Sequence, residues 1–117
     1  MVVDDSPDAA DSLCQLLWIV DYEARAAYSG PAAVALADTF APDVVVLDIE
    51  MPGEDGYALA DRLCAQLAGR PVLVALTGRP HLEHRSRSRA FDHHFLKPVE
   101  PGVLLDVLDG LAGSSPG

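Results

Sequence analysis

At 117 residues the chain has the length of one domain. Its 8 basic and 18 acidic residues leave a formal charge of −10, which excludes the basic patch that nucleic acid or an anionic membrane requires. Half of the residues are hydrophobic and 22% are charged, which excludes global disorder.

Taken in chain order, apolar runs alternate with helical patterns about five times. Met1 to Val3 is a short apolar segment that ends in Asp4-Asp5. Ser6-Pro7-Asp8 has the signature of a helix start, with a hydroxyl cap, proline at the first helical position and an acid in the first turn. Leu13, Leu16, Leu17 and Val20 continue it at helical spacing and leave Trp18 off that face. Ala24 to Tyr28 is a weak strand. Gly30-Pro31 opens a second helix with Ala33, Leu36, Ala37 and Phe40 on one face, stopped by Pro42.

Asp43 to Asp48 carries the strongest strand signal: a continuous β-branched run that fits a strand buried on both faces. A turn cluster, Met51 to Gly56, precedes a third helix marked by Leu59, Ala60, Leu63, Cys64 and Leu67. Val72 to Leu76 is a further buried strand, closed by Thr77-Gly78. A polar, Arg-rich stretch follows, with a predicted helix near Leu82 to Ala90. His93 to Leu96 is a short last strand before Lys97-Pro98, and Leu104, Leu105, Leu108 and Leu111 mark the final helix. The expected domain is 1–112, with 113–117 as a polar tail or the start of a linker. The apolar runs Leu16–Val20 and Ala32–Ala37 fall far below the about 20 residues of a bilayer span, and no basic segment leading into an apolar one opens the chain. No membrane insertion and a cytoplasmic location are therefore expected. Cys14 and Cys64 sit outside any CxxC pattern and read as small apolar residues in a reducing compartment.

Alternating strands and helices imply a parallel sheet covered by helices on both faces. In such sheets ligands sit outside the carboxyl ends of the strands. Those ends carry Asp4-Asp5, Asp48, Thr77 and Lys97-Pro98. Three carboxylates in one place repel and call for a cation, and an all-oxygen set suits Mg²⁺. A lysine beside them offers a point charge for a phosphoryl oxygen, and a hydroxyl offers a donor. Together these groups can support phosphoryl transfer to an aspartate. Singly, each is an ordinary turn acid, strand-closing threonine or surface Lys-Pro; the joint placement on four strand ends carries the signal.

Val2-Val3-Asp4-Asp5-Ser6-Pro7, the run Asp43 to Gly56 with its DxxMPxxDG pattern, Ala75-Leu76-Thr77-Gly78 and Lys97-Pro98 closely resemble the response-regulator receiver domain, of the type often attached to hybrid histidine kinases. The resemblance covers Met1 to about Leu111. It implies an α/β, flavodoxin-like (CheY-like) doubly wound sheet of five parallel strands in the order 2-1-3-4-5. By position it implies Asp48 as phosphoacceptor, with Mg²⁺ held directly by Asp5, through water by Asp4, and by Asp48 and the backbone carbonyl of Glu50. Thr77 and Lys97 would engage the phosphoryl group, and His94, at the family's switch-aromatic position, would relay the change. Glu50 and Arg79 would tune the phosphoryl lifetime and carry opposite charges that can pair. The Lys97–Pro98 bond is expected to be cis. The implied donor is a histidine kinase or histidine phosphotransfer protein docking near Ala9, Ser12 and Pro98. A homodimer through the predicted fourth helix and fifth strand is a further expectation, and Cys14 and Cys64 fall on helices covering opposite sheet faces.

Several features depart from the family. The first strand is short and looks clipped, the stretch from Thr77 to Lys97 is shortened, and Ala90 stands where a glycine is usual. Two other readings follow: a receiver-like interaction module that works without phosphate, and an Mg²⁺-dependent phosphohydrolase with an aspartate nucleophile. A metal site from His81, His84, His93 and His94 lacks a carboxylate or cysteine to complete a pattern.

Overall fold

The computed structural model describes residues 1–67, 69, 71–78 and 91–113, the last three by backbone alone. Five strands, β1 (Val2–Val3), β2 (Ala26–Ala27), β3 (Val44–Asp48), β4 (Val72–Thr77) and β5 (His93–Leu96), form one parallel sheet in the order β2-β1-β3-β4-β5. This is the expected order. The described helices are α1 (Pro7–Ile19), α2 (Gly30–Ala37), α3 (Gly56–Gln66) and α4 (Pro101–Gly113). The predicted helix near 82–90, and Ala90 itself, lie outside the described residues.

Register and side-chain alternation divide the core in two. One row across the sheet runs Ala26, Val2, Val46, Val74, His93; the next runs Ala27, Val3, Leu47, Ala75, His94. Val2, Val46 and Val74 pack with Ala10, Cys14 and Leu17 of α1 and with Leu104 and Leu108 of α4. Val3, Leu47 and Ala75 pack on the other side, with Ala33 and Ala37 of α2 and Leu59, Ala60 and Leu63 of α3. Val45 to Leu47 and Leu73 to Leu76 are buried on both faces, which is why those segments read as unbroken apolar runs.

Local chemistry sets the helix ends. Ser6 caps α1, its hydroxyl accepting from the Ala9 N–H at 3.4 Å, with Pro7 in the first turn. Ser29 caps α2 in the same way, and Asp55 caps α3 by accepting from the N–H groups of Tyr57 and Ala58. α2 ends at Ala37, so Phe40 is not on its apolar face as the spacing suggested. The N–H groups of Asp38 and Thr39 turn back to the carbonyls of Ala35 and Leu36, which tightens the chain out of the helix, and Phe40 still packs on the core from that turn. α4 runs to Gly113, one residue past the expected domain end. Trp18 is 54% exposed, as its spacing implied, while its indole N–H donates to the Ala24 carbonyl at 2.9 Å. Cys14 and Cys64 are both free and pack on opposite sides of the sheet.

Gly56 has a packing reason to be glycine. A Cβ there would lie 2.6 Å from Ile49 Cα and 2.9 Å from the Ile49 carbonyl oxygen, so the first turn of α3 presses directly on the backbone that leaves β3. Gly53, with φ of 74°, supplies the left-handed turn before it.

Candidate functional site at the strand ends

The parallel sheet delivers its four polar strand ends to one rim. Asp4 follows β1, Asp48 and Thr77 close β3 and β4, and Lys97 follows β5. The ladder continues past the last strand residues: the Ile49 N–H donates to the Leu76 carbonyl, and the Lys97 N–H donates to the Thr77 carbonyl at 2.6 Å. These bonds fix where Asp48 and Lys97 emerge.

Asp4 and Asp48 are buried, 4% and 3% exposed, and buried carboxylates require partners. Asp4 Oδ1 accepts from the Ser6 N–H at 3.0 Å, tying the acid to the cap of α1. Asp48 Oδ1 accepts from the Glu50 N–H at 2.9 Å, and its Oδ2 accepts from the Lys97 ammonium at 2.8 Å. The same ammonium stands 3.5 Å from Asp4 Oδ2. Burial opposes the charge of Lys97, but hydrogen bonding and attraction to Asp48, then to Asp4, outweigh it and hold the ammonium above its ordinary value.

Asp5 completes the cluster from the solvent side. One carboxylate oxygen from each of Asp4, Asp5 and Asp48 lies within 4.8 Å of the others. One ammonium does not neutralise three carboxylates. Hard oxygen donors, a surplus of negative charge and one exposed member fit a divalent ion such as Mg²⁺, which keeps several waters and needs few protein ligands.

The Glu50 side chain has a position that spacing did not reveal. Its Oε1 accepts from the Thr77 hydroxyl at 2.9 Å and also from the Gly78 N–H. The expected pairing with Arg79, and the histidine set that includes His81 and His84, fall on residues outside those described. His94 is half-buried on β5, its ring 5.7 Å from that of Phe91, which in turn meets Tyr57 edge-on at 6.0 Å. Ala9, Ser12 and Pro98 are all exposed, and the Lys97–Pro98 bond is cis. Two acids outside the cluster hold the frame and carried no signal in the spacing. Glu54 accepts from the Gly30 N–H and ties the β3–α3 loop to α2. Asp92 accepts from the Leu73 N–H at 2.9 Å and seats the start of β5 on β4.

Among the described residues no helix is long and apolar enough to cross a membrane. A family model for the response regulator receiver domain matches residues 1–109. Protein PilH of Pseudomonas aeruginosa is 32% identical over 117 residues, covering 97% of each chain. The positive alginate biosynthesis regulatory protein of the same species is 33% identical over 92% of this chain, which spans only 44% of that protein. The structure is similar to that of the chemotaxis protein CheY4 of Vibrio cholerae, with a TM-score of 0.84 and 26% identity over 93% of each chain. The chain belongs to the response regulator receiver domain family of two-component signalling.

Proposed function

We propose that Asp48 accepts a phosphoryl group from a phosphohistidine on a histidine kinase or histidine phosphotransfer protein. The observation that carries this reading is the buried Asp48 carboxylate with the Lys97 ammonium 2.8 Å away, inside a cluster with Asp4 and Asp5. In the transfer an Asp48 oxygen attacks phosphorus, the phosphorus–nitrogen bond breaks, and the donor leaves as an imidazole. Mg²⁺, held by Asp4, Asp5, Asp48 and the Glu50 carbonyl, would offset charge on the phosphoryl oxygens. Lys97 pairs with the Asp48 carboxylate before the attack and then with the anion that forms. Thr77 donates its hydroxyl to that anion, and His94, on the neighbouring strand, passes the rearrangement to the β5 face. Glu50 and Arg79 flank the mouth and set the phosphoryl lifetime. Ala9, Ser12 and Pro98 offer the donor a surface of small side chains, and the β5 face is a candidate surface for a homodimer. The module catalyses only its own phosphorylation and dephosphorylation, in a cytoplasmic setting.

The test is incubation with Mg²⁺ and acetyl phosphate beside Asp48→Asn, read by intact mass. A single Mg²⁺-dependent phosphoryl adduct that the variant lacks is the expected result. A folded, Mg²⁺-loaded protein that takes no adduct would overturn the reading in favour of a phosphate-independent interaction module. Turnover of acetyl phosphate without a stable adduct would point to a phosphohydrolase.

A further inference from the structure

Glu50 is pinned at both ends. Its N–H donates to Asp48 Oδ1 at 2.9 Å, and its side chain spans from the end of β3 to the end of β4, where Oε1 takes the Thr77 hydroxyl and the Gly78 N–H together. A hydroxyl has one proton to give and so does an amide. While both are committed to Glu50, neither is available to a different anion. The bonds are charge-assisted, and Thr77 is 5% exposed, so its hydroxyl leaves this acceptor only for another of comparable strength.

We propose that the Glu50 carboxylate is an internal competitor that occupies the donors Thr77 and Gly78 until a phosphoryl group on Asp48 takes them over. This rests on the reading of Asp48 as acceptor and specifies how that site is restrained. The switch is then an exchange of one anion for another across the same two donors. Its driving force is the difference between the two anions, which makes it weaker than the capture of free donors. Glu50 thus sets how far phosphorylation moves the equilibrium. Truncating its side chain leaves its backbone N–H in place at Asp48 and removes the carboxylate that holds Thr77 and Gly78.

The experiment uses the ¹³C,¹⁵N-labelled full chain without phosphodonor. In the wild type the Gly78 amide is protected from solvent exchange. In Glu50→Ala that protection is lost, while the core amides of Val74 and Leu76 keep theirs. In Glu50→Gln, which retains an uncharged acceptor oxygen, protection is intermediate. Addition of Mg²⁺ and beryllium fluoride, a phosphoryl mimic on carboxylates, restores Gly78 protection in Glu50→Ala and shifts the Glu50 side-chain carboxyl resonance in the wild type. Glu50→Ala also accepts phosphate from acetyl phosphate several-fold faster. A Gly78 amide that exchanges alike in wild type and folded Glu50→Ala overturns the proposal, as does a Glu50 resonance that stays still when the mimic binds. Should Glu50→Ala fail to fold, Glu50→Gln and the wild-type carboxyl resonance decide alone. Failure of Asp48 to form an adduct is a separate result, read by mass, and strikes the acceptor reading instead.

Discussion

The Lys97 ammonium bridges two buried carboxylates from different strands, 2.8 Å from Asp48 Oδ2 and 3.5 Å from Asp4 Oδ2. Removing it leaves both acids facing each other without a cation. Loss of one partner of a buried pair costs about 3–5 kcal/mol, and the 34% exposure of the lysine side chain brings this down to about 1–3 kcal/mol. Urea denaturation of Lys97→Ala in metal-free buffer should show that loss, and Mg²⁺ should recover part of it. Equal stabilities of variant and wild type without metal would mean that the pair contributes nothing to folding.

Asp5 makes the opposite prediction. It is exposed and adds a third negative charge beside Asp4 and Asp48. Asp5→Asn should leave metal-free stability unchanged or raise it, because like-charge repulsion falls. Mg²⁺ raises the thermal midpoint of the wild type as any ligand of the native state does. The variant should lose most of that rise. A wild-type midpoint that does not respond to Mg²⁺ would dispose of the metal assignment.

Gly56→Ala should cost about 1–3 kcal/mol by overpacking, since the new methyl falls 2.6 Å from Ile49 Cα, a backbone atom that cannot rotate away. Gly110, which has open space around it, is the control: Gly110→Ala should not destabilise. Chemical denaturation of both variants checks the contrast, and similar midpoints would contradict the described packing.

The Tyr22 hydroxyl donates to Asp109 Oδ1 at 2.6 Å and joins the turn after α1 to α4. That hydrogen bond, then burial and the nearby Asp109 charge, push its phenol from an ordinary 10.0 to about 12. A raised folded value favours the protonated form, so this contact is fully present below about pH 10 and is lost as pH climbs toward about 12. Tyr22→Phe should lower stability by about 0.5–1 kcal/mol at neutral pH and flatten the alkaline loss. Ultraviolet titration of the phenolates should show one fewer late-titrating group in the variant.

Much of the frame was legible because it depends on local chemistry. Ser6-Pro7 marks a helix start by the bonds its own backbone lacks, and the run Val44 to Leu47 marks a doubly covered strand by having no polar face. The rim acids and Lys97 were legible as a set because parallel strands bring all their carboxyl ends to one side. Edge strand β2, only Ala26–Ala27, was faint since alanine carries little β-propensity. Phe40 misled because the 3.6-residue spacing continues through a turn that is no longer helical. Contacts made by long side chains across loops left no trace in the spacing: Glu50 on Thr77, Glu54 on Gly30, Asp92 on Leu73. Their partners lie between 19 and 27 residues away, and only the assembled sheet brings them within reach.

The two cysteines face opposite sides of the sheet, Cys14 buried on α1 and Cys64 half-buried on α3. Burial pushes the Cys14 thiol above its ordinary value, so its reactive thiolate is scarce until that layer opens. The protein therefore carries its own chemical reporter in one layer and a more accessible thiol in the other. Pulsed alkylation of the buried Cys14 can time the undocking of the α1–α4 layer, with the half-buried Cys64 on the other side of the sheet as the reference, without an introduced label.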